Sequence, residues 1–136
     1  MILRMGWRFF ILVALVLLLS ACDIIGGGPS IADITLTTAL NTDYCPVDEV
    51  TVYSPEEDFN CSVRASNLGS GSIITFRWYF GEQLVEEANY RFETGGSGCA
   101  GNEMKCVSPC PWPRGGYRVE VYLDGRLERT AAFAVR

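Results

Sequence analysis

The chain of 136 residues contains no histidine. That excludes Ser-His and Cys-His nucleophilic pairs and every imidazole metal ligand. Cationic residues are scarce, with 11 Lys and Arg against 16 Asp and Glu and no basic cluster. Phosphate neutralisation needs such residues in number, so no nucleic-acid partner is expected. A membrane-spanning run is lacking as well: the uninterrupted apolar stretch 9–19 is shorter than the roughly 20 residues needed to cross the hydrocarbon core. Internal repeats, heptads and amphipathic helical patterns are missing, and so is a Cys-x-x-Cys redox motif.

What is present begins with Arg4 and Arg8, followed by that apolar stretch and then Ser20-Ala21-Cys22. A short positive region, an apolar segment and small residues form a secretory signal. Leu19-Ser20-Ala21-Cys22 resembles the lipobox of bacterial lipoproteins. The resemblance implies cleavage before Cys22, a diacylglycerol on its sulfur and acylation of the new amino group. Two or three acyl chains exceed the single chain that binds only marginally, which gives a stable anchor on the extracytoplasmic side of the cell membrane. Asp23 is similar to an inner-membrane retention signal of enterobacterial lipoproteins. The expected organisation is a lipoprotein signal peptide at 1–21, a lipidated cysteine with a glycine-rich tether at 22–30, and one domain at 31–136. Without residues 1–21, which carry two arginines and no acid, the net charge moves from -5 to -7.

Alternation of period two dominates the domain, as in half-buried strands. Ile34 and Leu36 share one face; Cys61, Val63 and Ala65 another; then Ile74, Phe76, Trp78 and Phe80; then Tyr117, Val119, Val121 and Leu123; and last Leu127, Ala131, Phe133 and Val135. Shorter candidates lie at 50–53, 83–87 and 89–93. Asn67-Leu68-Gly69-Ser70-Gly71 and Asp124-Gly125 supply turn chemistry, since glycine takes a positive φ without steric cost. Seven or eight short strands predict an all-β, antiparallel sandwich. The stretch 94–116 reads as one long irregular loop, and a loop of that length is functional or cross-linked.

Trp78 sits where the immunoglobulin-like sandwich places its core tryptophan on strand C. Gly116-Tyr117-Arg118-Val119 resembles the start of strand F, where a tyrosine closes the corner between strands E and F. The family pattern wants a cysteine two residues after that tyrosine, and this chain has Val119, so the usual inter-sheet disulfide is expected to be absent. The segment 112–125 with the Phe133 strand is similar to the carboxyl-terminal hairpin of small bacterial lipoproteins with immunoglobulin-like domains. The resemblance speaks to fold more than to activity.

Besides Cys22, five cysteines remain: Cys45, Cys61, Cys99, Cys106 and Cys110. An exported chain meets an oxidising compartment, so two structural disulfides and one residual thiol are expected. Cys45–Cys61 and Cys61–Cys110 are both open as pairings. The strand order of the resemblance gathers all five at one pole, with Cys99, Cys106 and Cys110 in the E–F connection. The odd thiol would permit a disulfide-linked dimer or a thiol-disulfide activity. Glu56, Glu57 and Asp58 form an acidic run that reads as a solvated turn or a binding patch. Trp112, between Pro111 and Pro113, is a binding aromatic or a cap on the core, and Tyr44 joins it as a binding candidate at the pole furthest from the tether. No cofactor, metal site or catalytic residue is expected. The functional expectation is a membrane-anchored, non-catalytic interaction module of the bacterial envelope that meets a protein or glycan. Its alternatives are an inhibitor of a secreted hydrolase and a thiol-disulfide protein.

Overall fold

The computed structural model describes residues 27–107 and 110–136; the expected signal peptide, Cys22 and most of the expected tether lie outside the described residues. Eight strands run β1 Ser30–Thr37, β2 Val52–Tyr53, β3 Phe59–Leu68, β4 Ser72–Phe80, β5 Gln83–Phe92, β6 Gly96–Met104, β7 Gly115–Leu123 and β8 Arg126–Val135. They form two packed sheets, β1-β3-β6 and β2-β8-β7-β4-β5. All pairings are antiparallel except that of β2, which joins β8 in parallel through Val52↔Ala134 and Tyr53↔Val135. The all-β sandwich of eight strands is the expected immunoglobulin-like one, with β3, β4, β6, β7 and β8 in the places of strands B, C, E, F and G.

The alternating apolar positions of facing sheets meet in one core. Trp78 is fully buried there, and its Nε1–H donates to Asn102 Oδ1 at 2.7 Å. Phe59 stacks on Trp112 at 4.7 Å and packs edge-on to Tyr117 and Phe133. The expected tyrosine corner is present: Tyr117 OH donates to the Pro113 carbonyl at 2.6 Å, four residues upstream. Val119 is buried in β7 and Cys61 in β3, without a bridge between them. The aromatic cluster and the Trp78–Asn102 bond stand where that disulfide would tie the sheets.

Four expectations need correction. The stretch 94–116 is not one loop, because β6 occupies its first half and pairs with β3. Glycines at 96, 98 and 101 lower strand propensity, yet Ala100, Asn102 and Met104 still alternate inward. At Gly101 the strap lies close: an added Cβ would fall 2.8 Å from Leu40 Cδ1, so the Leu40 side chain would have to shift. Second, the candidates at 83–87 and 89–93 are one strand, β5. Third, Leu127 is exposed, because a register shift at Val121/Tyr122 turns it to the outer face, as one slipped residue does in a strand of period two. Fourth, the five cysteines do not share a pole.

That last difference comes from residues 38–50, which lie as a strap across the outer face of the small sheet. β3 is therefore buried on both faces at its start, including Asn60 and Ser62. Ser62 Oγ donates to the Tyr44 carbonyl at 2.8 Å, and Asn60 Nδ2 donates to that of Thr38 at 3.2 Å. Asp48 accepts from Thr37 Oγ1 at 2.6 Å and from the Thr38 amide at 2.8 Å. The Cys45–Cys99 disulfide stitches the strap to the middle of β6, and Cys106–Cys110 closes a short loop beyond the end of β6.

Candidate interaction surfaces

Strand direction divides the molecule into two poles. The chain enters β1 beside the β3–β4 turn, where Asn67 Nδ2 donates to the Gly27 carbonyl at 3.3 Å. The opposite pole carries the 54–58 turn, the β4–β5 turn and the 105–114 connection.

At this far pole the expected candidates separate. Trp112 is only 5% exposed. Its ring caps the core on Phe59, its Nε1–H donates to the Glu57 carbonyl at 2.8 Å, and its amide donates to the Pro55 carbonyl at 2.8 Å. It is the cap of the pair of readings. Glu57 accepts from the Ser54 amide at 2.7 Å and Asp58 from the Cys106 amide at 2.8 Å. These two carboxylates tie down the turn and the connection, while Glu56 is exposed. Tyr44 is 58% exposed, on the strap over the sheet face rather than beside Trp112. The structure does not bring Tyr44 and the acidic run into one site.

A groove of about 410 Å³ opens at the same pole, between Val85 and Glu86 of β5 and Glu103, Met104 and Lys105 at the end of β6. Val107 and Trp112 form its upper wall, and Val107 is 76% exposed. Its neighbour Cys106 is anchored by the bridge to Cys110 and by its amide bond to Asp58. Sequence reasoning missed this groove. Its trace was Val107, an apolar residue between two cysteines in a segment read as irregular loop.

Cys61 is the described cysteine without a bridge, and it is fully buried. Burial pushes its thiol pKa far up, since the thiolate has no solvation in the core. A reactive thiol is exposed with a lowered pKa, so Cys61 does not fit a thiol-disulfide activity and offers no sulfur to a second chain. Among the described residues no group of three acidic or cysteine ligands could hold a metal ion.

No family model matches the chain, and no curated protein matches it. Among solved structures it is similar to an immunoglobulin-like protein from Pseudomonas aeruginosa, with a TM-score of 0.51 and 13% identity over 82% of this chain and 100% of that one. It is also similar to the Pseudomonas fluorescens alkylpurine DNA glycosylase AlkC, with a TM-score of 0.49 and 11% identity, and spans 32% of that chain. At such identities the likeness is one of fold. The immunoglobulin-like sandwich is thereby shown, and its two disulfides are consistent with an extracytoplasmic protein.

Proposed function

We propose that the chain is a non-catalytic interaction module, anchored to the bacterial membrane through lipid on Cys22, that meets a protein or glycan with the pole opposite its tether. The observation that carries this reading is Val107, exposed beside a groove lined by Val85, Met104 and Trp112 together with Glu86, Glu103 and Lys105, and next to Cys106, which a disulfide and the Asp58 carboxylate fasten. A residue next to such an anchor loses less conformational freedom on binding, so more of its contact energy appears as affinity. The non-catalytic part of the reading rests on the fates of its candidate groups. Glu57 and Asp58 are bonded to backbone amides, and the Cys61 thiol is buried.

The test begins with a partner captured by crosslinking on intact cells. Val107→Asp should weaken that partner's binding by about tenfold or more, the effect of a central apolar contact worth roughly 1.4 kcal/mol. Arg126→Ala, in the β7–β8 turn at the tether pole, should leave it unchanged. The reverse pattern in two folded variants refutes the assignment of the pole. Cys22→Ala should release the exported chain from membranes.

A further inference from the structure

β5 is bonded along one side only. β4 pairs with it from Ser72↔Phe92 to Phe80↔Gln83, and among the described residues no strand pairs with its other edge. Most of its side chains are exposed, and Leu84, Val85 and Tyr90 present large apolar surfaces there. An unpaired edge of this length is a template for another strand, which proteins ordinarily blunt with proline, lysine, bulges or a covering segment. β5 contains neither proline nor lysine. Its one irregularity, the register shift at Trp78/Tyr79, falls near Val85 and leaves residues 86–92 in unbroken register.

Backbone direction along this edge follows from β4. The Ile73 amide donates to Asp124 Oδ1 at 2.9 Å, and its carbonyl accepts from the Asp124 amide at 2.8 Å, so both main-chain groups of Ile73 point away from β5. Alternation turns those of Ile74, Phe76 and Trp78 toward β5, onto their partners Tyr90, Ala88 and Glu86. The amides and carbonyls of Glu87, Asn89 and Arg91 therefore face the open edge.

We propose that a second copy of this chain pairs with that edge, antiparallel, about a two-fold axis at Asn89. The unbroken segment is centred on this residue. Asn89 then meets Asn89 of the second copy, Glu87 meets its Arg91, and Arg91 meets its Glu87. Both charge pairs lie on the outer face, and opposite charges directly across a ladder stabilise it. On the inner face Ala88 meets Tyr90 of the second copy, a small side chain against a large one, twice over. Moving the axis two residues either way sets Glu87 or Arg91 against its own copy, like charge on like charge. The five-stranded sheet becomes one sheet continuous across both copies, and the two tethers leave from opposite ends. The isologous contact is self-complementary, as closed two-fold symmetry requires. It shares β5 with the groove reading, whose Val85 and Glu86 lie at the end of the paired segment, while the Val107 loop contributes no residue to it.

Sedimentation of the full-length chain in detergent tests the pairing. The native chain should sediment as a dimer. Glu87→Arg alone and Arg91→Glu alone should each halve the mass, since each places like charges opposite one another twice. An equimolar mixture of the two variants should restore the dimer, because each chain then offers the charge the other lacks. Among the described residues Arg91 pairs only with exposed Glu93, at 3.5 Å, so Arg91→Glu leaves the melting transition in place. Asn89→Cys should oxidise to a species of doubled mass on a non-reducing gel, whereas Ala132→Cys on the outer face of β8 should not. This arm stands even where Glu87→Arg disturbs the fold through Arg77, its partner at 3.0 Å. A monomeric native chain, a dimer that Arg91→Glu leaves intact, or an Asn89→Cys chain that stays single overturns the proposal.

Discussion

Removing the Cys45–Cys99 bridge should cost the protein far more stability than removing Cys106–Cys110, although both fasten segments outside the core. The reasoning is entropic. A cross-link restrains the unfolded chain in proportion to the logarithm of the loop it closes. The two bridges span 54 and 4 residues. In the chain-entropy model the long bridge is worth about 4 kcal/mol, and the short one about 2 kcal/mol or less. On the native side little is lost at first, because the Asp48, Ser62 and Asn60 bonds still hold the strap. Paired substitutions, Cys45→Ala with Cys99→Ala and Cys106→Ala with Cys110→Ala, isolate the two terms without leaving stray thiols. Denaturant unfolding followed by Trp fluorescence gives each midpoint and slope. The long-bridge variant should show a clearly lower midpoint, together with a steeper slope as its unfolded state expands. A loss below about 1 kcal/mol for the long bridge, or a larger loss for the short one, refutes the argument.

Trp78→Ala should cost about 3–5 kcal/mol through its cavity, and Trp78→Phe about 1–3 kcal/mol through the orphaned Asn102, both read by the same unfolding experiment. Thiol titration of the mature protein should find no reactive group in the native state and one, Cys61, in denaturant; two would mean that Cys22 is unmodified. Hydrogen bonds from Thr37 and Thr38 hold the Asp48 carboxyl below its ordinary pKa. Their contribution is therefore complete above the usual carboxylate range and is lost as pH falls through the lowered value. The protection of the Thr38 amide relative to its intrinsic exchange rate should fall on acidification, and in Asp48→Asn that protection should be lower at neutral pH and nearly independent of pH.

Where period-two alternation coincided with turn chemistry, the fold was legible: β3, β4, β7 and β8 follow from Cys61 to Ala65, Ile74 to Phe80, Tyr117 to Leu123 and Ala131 to Val135. Tyr117 was readable as a corner because its neighbours matched a known pattern, and the hydroxyl bond to Pro113 bears this out. β6 was illegible for a physical reason. Gly-Ser-Gly-Cys-Ala-Gly has the composition of a loop, and what keeps it extended is tertiary: the ladder to β3, the bond from Trp78 to Asn102, and a disulfide. The pairing Cys45–Cys99 was hidden likewise, since spacing says nothing of a strap that folds back across a sheet. Trp112 was undecided because proline on both sides is as compatible with an exposed ring as with one turned onto Phe59.

Two edge strands of the sandwich, β5 and β6, show why the interaction surfaces were harder to read than the core. β6 is the weaker strand by propensity, yet it is the guarded one. Its Cys99 carries the strap, Leu40 lies over Gly101, and Asn102 reaches both Trp78 and the Tyr90 hydroxyl, at 2.7 and 2.8 Å. β5 is the stronger strand by pattern, yet only β4 and a few inward contacts hold it, and nothing described covers its edge. Composition alone would have assigned the exposure the other way round, to the glycines. An edge is defined by what fails to pair with it, which is a property of the whole fold and not of the segment. Proteolysis of the Arg91→Glu chain, in which no second copy covers β5, offers a direct comparison of the two. Cleavage needs an extended segment that can be lifted from its partners, so the energetic cost of local opening decides the site. β6 can leave only by breaking a disulfide-anchored, two-sided set of contacts. β5 needs to part only from β4. Limited digestion with a low-specificity protease should therefore cut first within 81–93 and spare 96–104, despite its glycines. First cuts inside 96–104 would show that propensity, rather than tertiary restraint, governs these edges.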